Sequence, residues 1–173
     1  MARILVLAYG VVAYLVFFVT FLYAVGFVGN WVVPKSIDTG EPGPTWIALV
    51  VNCALLGLFA VQHTIMARRG FKQWLTRYIP QAAERSTFVL VSSLCLVLLF
   101  WLWRPMPTVI WDVEAPIGRG VLAALSLLGW GIVLYGSFLI DHFDLFGLRQ
   151  VVSYARGKQY AHPHFMERSL YKL

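Results

Sequence analysis

Charged residues are scarce in this chain of 173 residues: Asp, Glu, Lys and Arg together make up 13% of it, whereas hydrophobic residues make up 60%. A soluble domain of ordinary composition carries about 25% charged residues. Because so few charged residues cannot cover a water-facing surface, most of the surface must face lipid. The net charge of +6 comes from residues between long apolar runs rather than from a continuous basic stripe, which argues against nucleic acid as a partner.

Cysteine and the common catalytic signatures are also scarce or missing. Cys53 and Cys95 both lie inside apolar runs without a CxxC pair, so we expect neither a disulfide framework nor a zinc site. The sequence contains no GxSxG, no HExxH and no phosphate-binding glycine loop. His162 and His164 resemble a metal-binding pair only weakly, and no metal site is predicted.

Four apolar runs are long enough to cross a bilayer, at about residues 4–28, 46–66, 87–103 and 121–140. The first run is too long for a signal peptide and lacks a small-x-small cleavage site, so it is predicted to be a retained span. Pro34, Pro80 and Pro116 are among the prolines that separate the runs. The sequence therefore predicts an all-α integral membrane protein with four transmembrane helices, a single domain over residues 1–173 and a cytoplasmic tail over 141–173.

The basic residues predict the orientation of these spans. Eleven of the 14 flank the N-terminus, the second loop or the C-terminal segment, and the other three, Lys35, Arg104 and Arg119, lie in the first and third loops. Cytoplasmic loops are the basic ones. Both termini are therefore predicted to be cytoplasmic.

Residues 68–78 combine aromatic and basic side chains at helical spacing. Phe71, Trp74 and Tyr78 recur on one side, with four cations between and before them. This pattern predicts a short interfacial helix on anionic lipid, with a plain basic loop as the alternative.

Polar residues from three spans are predicted to meet at the cytoplasmic side. Ionisable groups at membrane depth usually face the interior of a bundle, so we expect one polar pocket there. Simpler roles, as an interfacial histidine or as caps and ends of helices, stay open for each of them. The residues are Gln62, His63, Glu84, Arg85, Asp141, His142 and Asp144.

Three motifs at this spacing carry a resemblance to a known family: QHTIMAR at residues 62–68, ERST at 84–87 and DHFDLFGLRQ at 141–150. Together they resemble the bacterial methanethiol S-methyltransferases, within the wider superfamily of isoprenylcysteine carboxyl methyltransferases. The resemblance covers essentially the whole chain. It implies a helical membrane bundle that binds S-adenosylmethionine on the cytoplasmic side and methylates methanethiol, a small thiol, to dimethyl sulfide.

Side-chain chemistry suggests roles for individual residues in the reaction that the resemblance implies. His63 and His142 are the candidate catalytic bases, because a thiol must lose its proton to become the nucleophile. The candidate cofactor ligands are Asp141, Asp144, Arg149 and Tyr171, with Arg149 suited to the methionine carboxylate. Gln62, Glu84 and Arg85 are the candidate lining of the substrate pocket.

The end of the sequence departs from the superfamily pattern. Tyr171 matches the tyrosine of the cofactor motif, and Ser169 stands where glycine is usual, but the Arg-His-Pro element does not follow. The resemblance thus implies a fifth helix in the complete fold, and it implies that these 173 residues bind the cofactor weakly or not at all. Two alternatives stay open, a related methyltransferase with another thiol or carboxylate acceptor, and a membrane scaffold or pore protein without catalysis. The sequence does not define an oligomeric state.

Overall fold

The computed structural model describes residues 1–106 and 108–160, and these residues are organised around seven α-helices and one 3-10 turn. The long helices are α1 (Ala2–Gly29), α2 (Thr45–Ala67), α4 (Glu84–Leu102) and α5 (Pro116–Ile140). The short ones are α3 (Arg69–Leu75), α6 (His142–Leu145) and α7 (Leu148–Ala155), and the 3-10 turn spans Gln81–Ala83. The prediction of an all-α fold is confirmed.

Among the described residues, four helices are long and apolar enough to cross a membrane, as predicted. In lipid only a helix or a closed barrel satisfies every backbone group, which is why these runs are helical. One boundary differs: Pro116 was assigned to the loop before the fourth span, yet it begins α5. Proline is favoured at the first helical position because its missing N–H would have no partner there.

The long helices are arranged with α4 between α1 and α2, while α5 contacts α1 and the short helix α6. No described residue of α5 is buried. An apolar helix without buried residues is stable only where lipid surrounds it, so α5 identifies the bilayer as the solvent of this protein. The chain is a multi-pass membrane protein.

The end of the bundle away from α3 and α6 is closed by a small apolar core and a side-chain clamp. Phe27, Leu55, Leu99 and Phe100 form the core. Beside it, the amide of Asn52 donates to the carbonyl of Arg104 at 2.8 Å and accepts from its N–H at 2.9 Å. The Asn52 side chain thus satisfies backbone groups just beyond the C-terminus of α4, where intrahelical partners have run out.

The segment after α5, predicted as a cytoplasmic tail, begins with two short helices. Helices α6 and α7 fold back, and Val151 of α7 is fully buried against α1. A Cβ at Gly10 would lie 2.6 Å from a Val151 methyl group, so only glycine permits this approach. The packing of α7 brings the DHFDLFGLRQ segment against the bundle.

Candidate active site

A cleft of about 760 Å³ opens where α3, the 3-10 turn, the start of α4 and the segment from α7 to Tyr160 meet. Glu84 and Arg85 line it. Lys72 and Lys158 line it too, and Lys72 lies 3.5 Å from the Glu84 carboxylate. Three cations and one carboxylate make this cleft electropositive.

One wall of the cleft is a hydrogen-bonded group centred on Asp144. Tyr160 donates to the Asp144 carboxylate, and Gln150 Nε2 donates to the Asp144 carbonyl and carboxylate at 3.1 and 3.2 Å. Burial and then the Asp144 bond raise the pKa of Tyr160, so its hydroxyl stays protonated. Asp144, predicted as a cofactor ligand, therefore fixes the positions of the Gln150 and Tyr160 side chains.

Asp141 and Arg149 bind each other. Arg149 Nη1 lies 2.6 Å from Asp141 Oδ2, and Asp141 Oδ1 accepts from the N–H of Asp144 to cap α6. Arg149 does not belong to the cleft lining, whereas Arg85 does. Of the two arginines, Arg85 is the one whose guanidinium is placed to meet an anionic ligand in the cleft.

His142 is buried, with 2% of its surface exposed, and both ring nitrogens have partners. Tyr14 Oη lies 2.9 Å from Nε2, and Ser137 Oγ lies 2.7 Å from Nδ1. Because the Ser137 hydroxyl donates its hydrogen to the Leu134 carbonyl, Nδ1 must donate to Ser137 and Nε2 must accept from Tyr14. Burial lowers the pKa of His142, against a smaller rise from Asp141. The imidazole is therefore neutral and fully hydrogen-bonded.

His63 has a different environment. It is exposed on α2, its Nδ1 lies 3.4 Å from Ser92 Oγ, and its ring packs against Phe88 with 4.7 Å between centroids. Gln62 beside it donates to the same Ser92 oxygen at 3.3 Å. No contact with a described residue engages Nε2 of His63, so this imidazole keeps a nitrogen available to a small ligand.

Within the described residues, the polar residues that were predicted to share one pocket fall into separate groups. Gln62 and His63 lie on the α2 side of α4, and His142 lies on the α1 side, away from α2. Arg85 and Ser92 are seven positions apart on one face of α4, about 10 Å along the helix. The cleft and His63 thus lie along a common face of α4. His142 lies on the α1 side of this helix, where it stabilises the fold.

Three further points concern the predicted residues. Tyr171, like His162 and His164, lies outside the described residues. Within the described part of the chain, no group of three or more His, Cys, Asp or Glu residues could hold a metal ion. Sequence analysis missed Tyr14, Ser137, Gln150 and Tyr160, of which only Gln150 lies within a motif that had been recognised.

Comparison with known proteins gives relatives along nearly the whole chain. Methanethiol S-methyltransferase of Mycobacterium tuberculosis is 54% identical over 172 residues, which is 99% of this chain and 70% of that protein. Methanethiol S-methyltransferase 1 of Bradyrhizobium diazoefficiens is 53% identical over 95% of this chain and 58% of the relative. Nurim of Bos taurus is 31% identical over 64% of this chain and 44% of its own length. No family model and no solved structure matches the chain.

Proposed function

Because the chain belongs to the methanethiol S-methyltransferase family, we propose that the protein transfers a methyl group from S-adenosylmethionine to methanethiol, giving dimethyl sulfide and S-adenosylhomocysteine. The observation that carries this proposal is the identity of about half of the residues, over nearly the whole chain, to enzymes of that name. The chain spans 58% of the length of one of these relatives and 70% of the other.

The cleft supports S-adenosylmethionine as the methyl donor. The donor carries a carboxylate, and the cleft places the Arg85 guanidinium with Lys72 and Lys158 around a volume large enough for part of such a ligand. We assign the carboxylate to Arg85, in place of Arg149, because Arg149 is paired with Asp141. When bound, S-adenosylmethionine supplies an electrophilic methyl group on a sulfonium.

The residues of the chain contribute the proton chemistry. A thiol reacts as its thiolate, so a base must accept the S–H proton. His63 is the better of the two candidate bases, since its Nε2 has no hydrogen-bond partner among the described residues, whereas both nitrogens of His142 are occupied. Phe59 and Phe88 flank the His63 ring and provide an apolar environment for a small alkyl thiol.

The cytoplasmic orientation of both termini is part of the same proposal. The cleft lies on the side of the bundle where the basic residues concentrate, among them Arg68, Arg69 and Arg77. Under the positive-inside rule this side is cytoplasmic, facing the soluble methyl donor. In a bacterium the membrane would be the inner one.

Two measurements test the proposal. The purified protein, supplied with S-adenosylmethionine and a panel of acceptors, should methylate methanethiol faster than larger thiols or lipid-linked carboxylates. A preference for another acceptor would point to the related methyltransferase, and no transfer at all would point to the scaffold alternative.

Calorimetry with S-adenosylhomocysteine tests the cleft. Arg85→Gln should weaken binding about ten-fold or more, corresponding to about 1.4 kcal/mol, while Arg149→Gln serves as the control.

A further inference from the structure

Helix α3 lies at the membrane surface because it follows a membrane-spanning helix directly. Helix α2 ends at Ala67, and Arg68 adopts an extended conformation with ψ of 142° that turns the chain before α3 begins at Arg69. A break of one residue leaves no room for α3 to move away from the bilayer. The helix is therefore at the level of the lipid headgroups.

The rest of the protein holds α3 weakly. None of its seven residues is buried, and its one ion pair with a described residue joins Lys72 to Glu84. A helix this short is not stable by itself in water. Some further contact must therefore fix its position, and the bilayer is the surface next to it.

The aromatic residues of α3 and the following turn suit a lipid interface. Phe71, Trp74 and Tyr78 form a continuous row, with ring centroids 5.3 and 5.4 Å apart. Trp74 is 48% exposed and Tyr78 is 72% exposed. Exposed Trp and Tyr at the end of a span are typical of the headgroup region.

The cations around α3 suit an anionic headgroup. Arg68, Arg69 and Arg77 are exposed, and none of them has an ion pair with a described residue. Guanidinium groups bind phosphate oxygens in pairs, and each cation near an anionic surface adds to the attraction. The same helix contributes Lys72 and Gln73 to the cleft, and Thr76, which directly follows it, lines the cleft too.

We propose that α3 and its flanking arginines form a binding site for anionic phospholipid, and that bound lipid fixes the α3 wall of the cleft. Lipid on Arg68, Arg69 and Arg77 would hold the helix from outside, while Lys72 holds it to Glu84 from inside. Only the consequence for methyl transfer rests on the proposed function. The lipid site itself does not.

The test measures lipid binding and helix protection without methyl donor or acceptor. Protein in phosphatidylcholine nanodiscs, with or without phosphatidylglycerol, is compared with the triple variant R68Q/R69Q/R77Q. The control is R104Q/R119Q, which removes cations at the other end of the bundle. Native mass spectrometry reports bound phosphatidylglycerol, and hydrogen exchange reports protection of the amides of residues 69–76. Three cations at about 1 kcal/mol each predict binding about a hundred-fold weaker in the triple variant and nearly unchanged in the control.

Several results would overturn this inference. Equal phosphatidylglycerol binding by the triple variant and the native protein would remove the site. Preference for a soluble polyanion such as duplex DNA over phosphatidylglycerol would show that the arginines form a polyanion-binding surface instead of a lipid-binding site. Lipid binding without added protection of residues 69–76 would contradict the coupling to the cleft. If the triple variant does not fold, R68K/R69K/R77K should fold and keep most of the binding, and loss of binding in that folded variant would count against the proposal.

Discussion

Tyr14 Oη and His142 Nε2 lie 2.9 Å apart, so a hydrogen bond joins the middle of α1 to the start of α6 across 128 positions of the sequence. The imidazole also stacks on Phe138 with an interplanar angle of 6° and centroids 4.2 Å apart. This buried pair fixes the DHFDLFGLRQ segment against the bundle. It connects the first span to the wall of the cleft.

Removing the Tyr14 hydroxyl should therefore destabilise the protein. Tyr14→Phe leaves the buried Nε2 of His142 without its donor, and an unsatisfied buried acceptor costs about 1–3 kcal/mol. Tyr9→Phe is the matched control. Tyr9 donates to Thr87 Oγ1, and the Thr87 hydroxyl also donates to the Ala83 carbonyl, so this hydroxyl keeps a hydrogen-bond partner in the variant. Thermal unfolding in detergent measures both. Equal unfolding midpoints for the two variants would show that the Tyr14–His142 hydrogen bond contributes no more to stability than the Tyr9–Thr87 hydrogen bond.

The same histidine predicts how stability depends on pH. Burial lowers the pKa of His142 in the folded state below its ordinary value near 6.5. Between these two pKa values the unfolded chain binds more protons than the folded one, so the stabilisation present at neutral pH is lost as pH falls below about 6.5. His142→Gln should flatten this part of the profile of unfolding midpoint against pH. An unchanged slope in that variant would assign the acid sensitivity to other groups.

The two candidate bases should respond differently to substitution. His63 is exposed, and its one hydrogen bond to a described residue is the weak one to Ser92. His63→Ala should therefore leave the unfolding midpoint nearly unchanged but lower turnover about 100-fold or more, the usual contribution of a general base. His142→Ala should lower the unfolding midpoint first. Turnover at the native rate in His63→Ala would remove this residue from the chemistry.

The spans could be predicted from the sequence, but the grouping of the polar residues could not. Hydrophobicity is a local property, so the apolar runs that form α1, α2, α4 and α5 could be identified from the sequence alone. Which helices are neighbours depends on packing, and the place of α4 between α1 and α2 separated His63 from His142. Tyr14 carries no local signal of its role, because an isolated tyrosine in an apolar run is ordinary. Ser137, five residues before a histidine, and Gln150, at the end of a recognised motif, were the detectable signals.

Orientation in the membrane can be tested with reporter fusions. Eleven of the 14 basic residues predict that fusions after Arg77 and after Arg156 report the cytoplasm, while a fusion at Thr39 reports the opposite side. All three positions lie outside the long helices. A reporter after Arg77 that was active on the far side would reverse the assignment and place the cleft away from the soluble methyl donor.

Methyl transfer itself is measured most directly with S-adenosylmethionine carrying a trideuterated methyl group. Purified protein, methanethiol and this donor should release dimethyl sulfide containing one CD₃ group, detected by headspace mass spectrometry, in amounts that rise with protein concentration. The Mycobacterium tuberculosis relative, treated identically, is the positive control. Labelled dimethyl sulfide from the relative but none from this protein, at matched folded yield, would contradict the proposed activity.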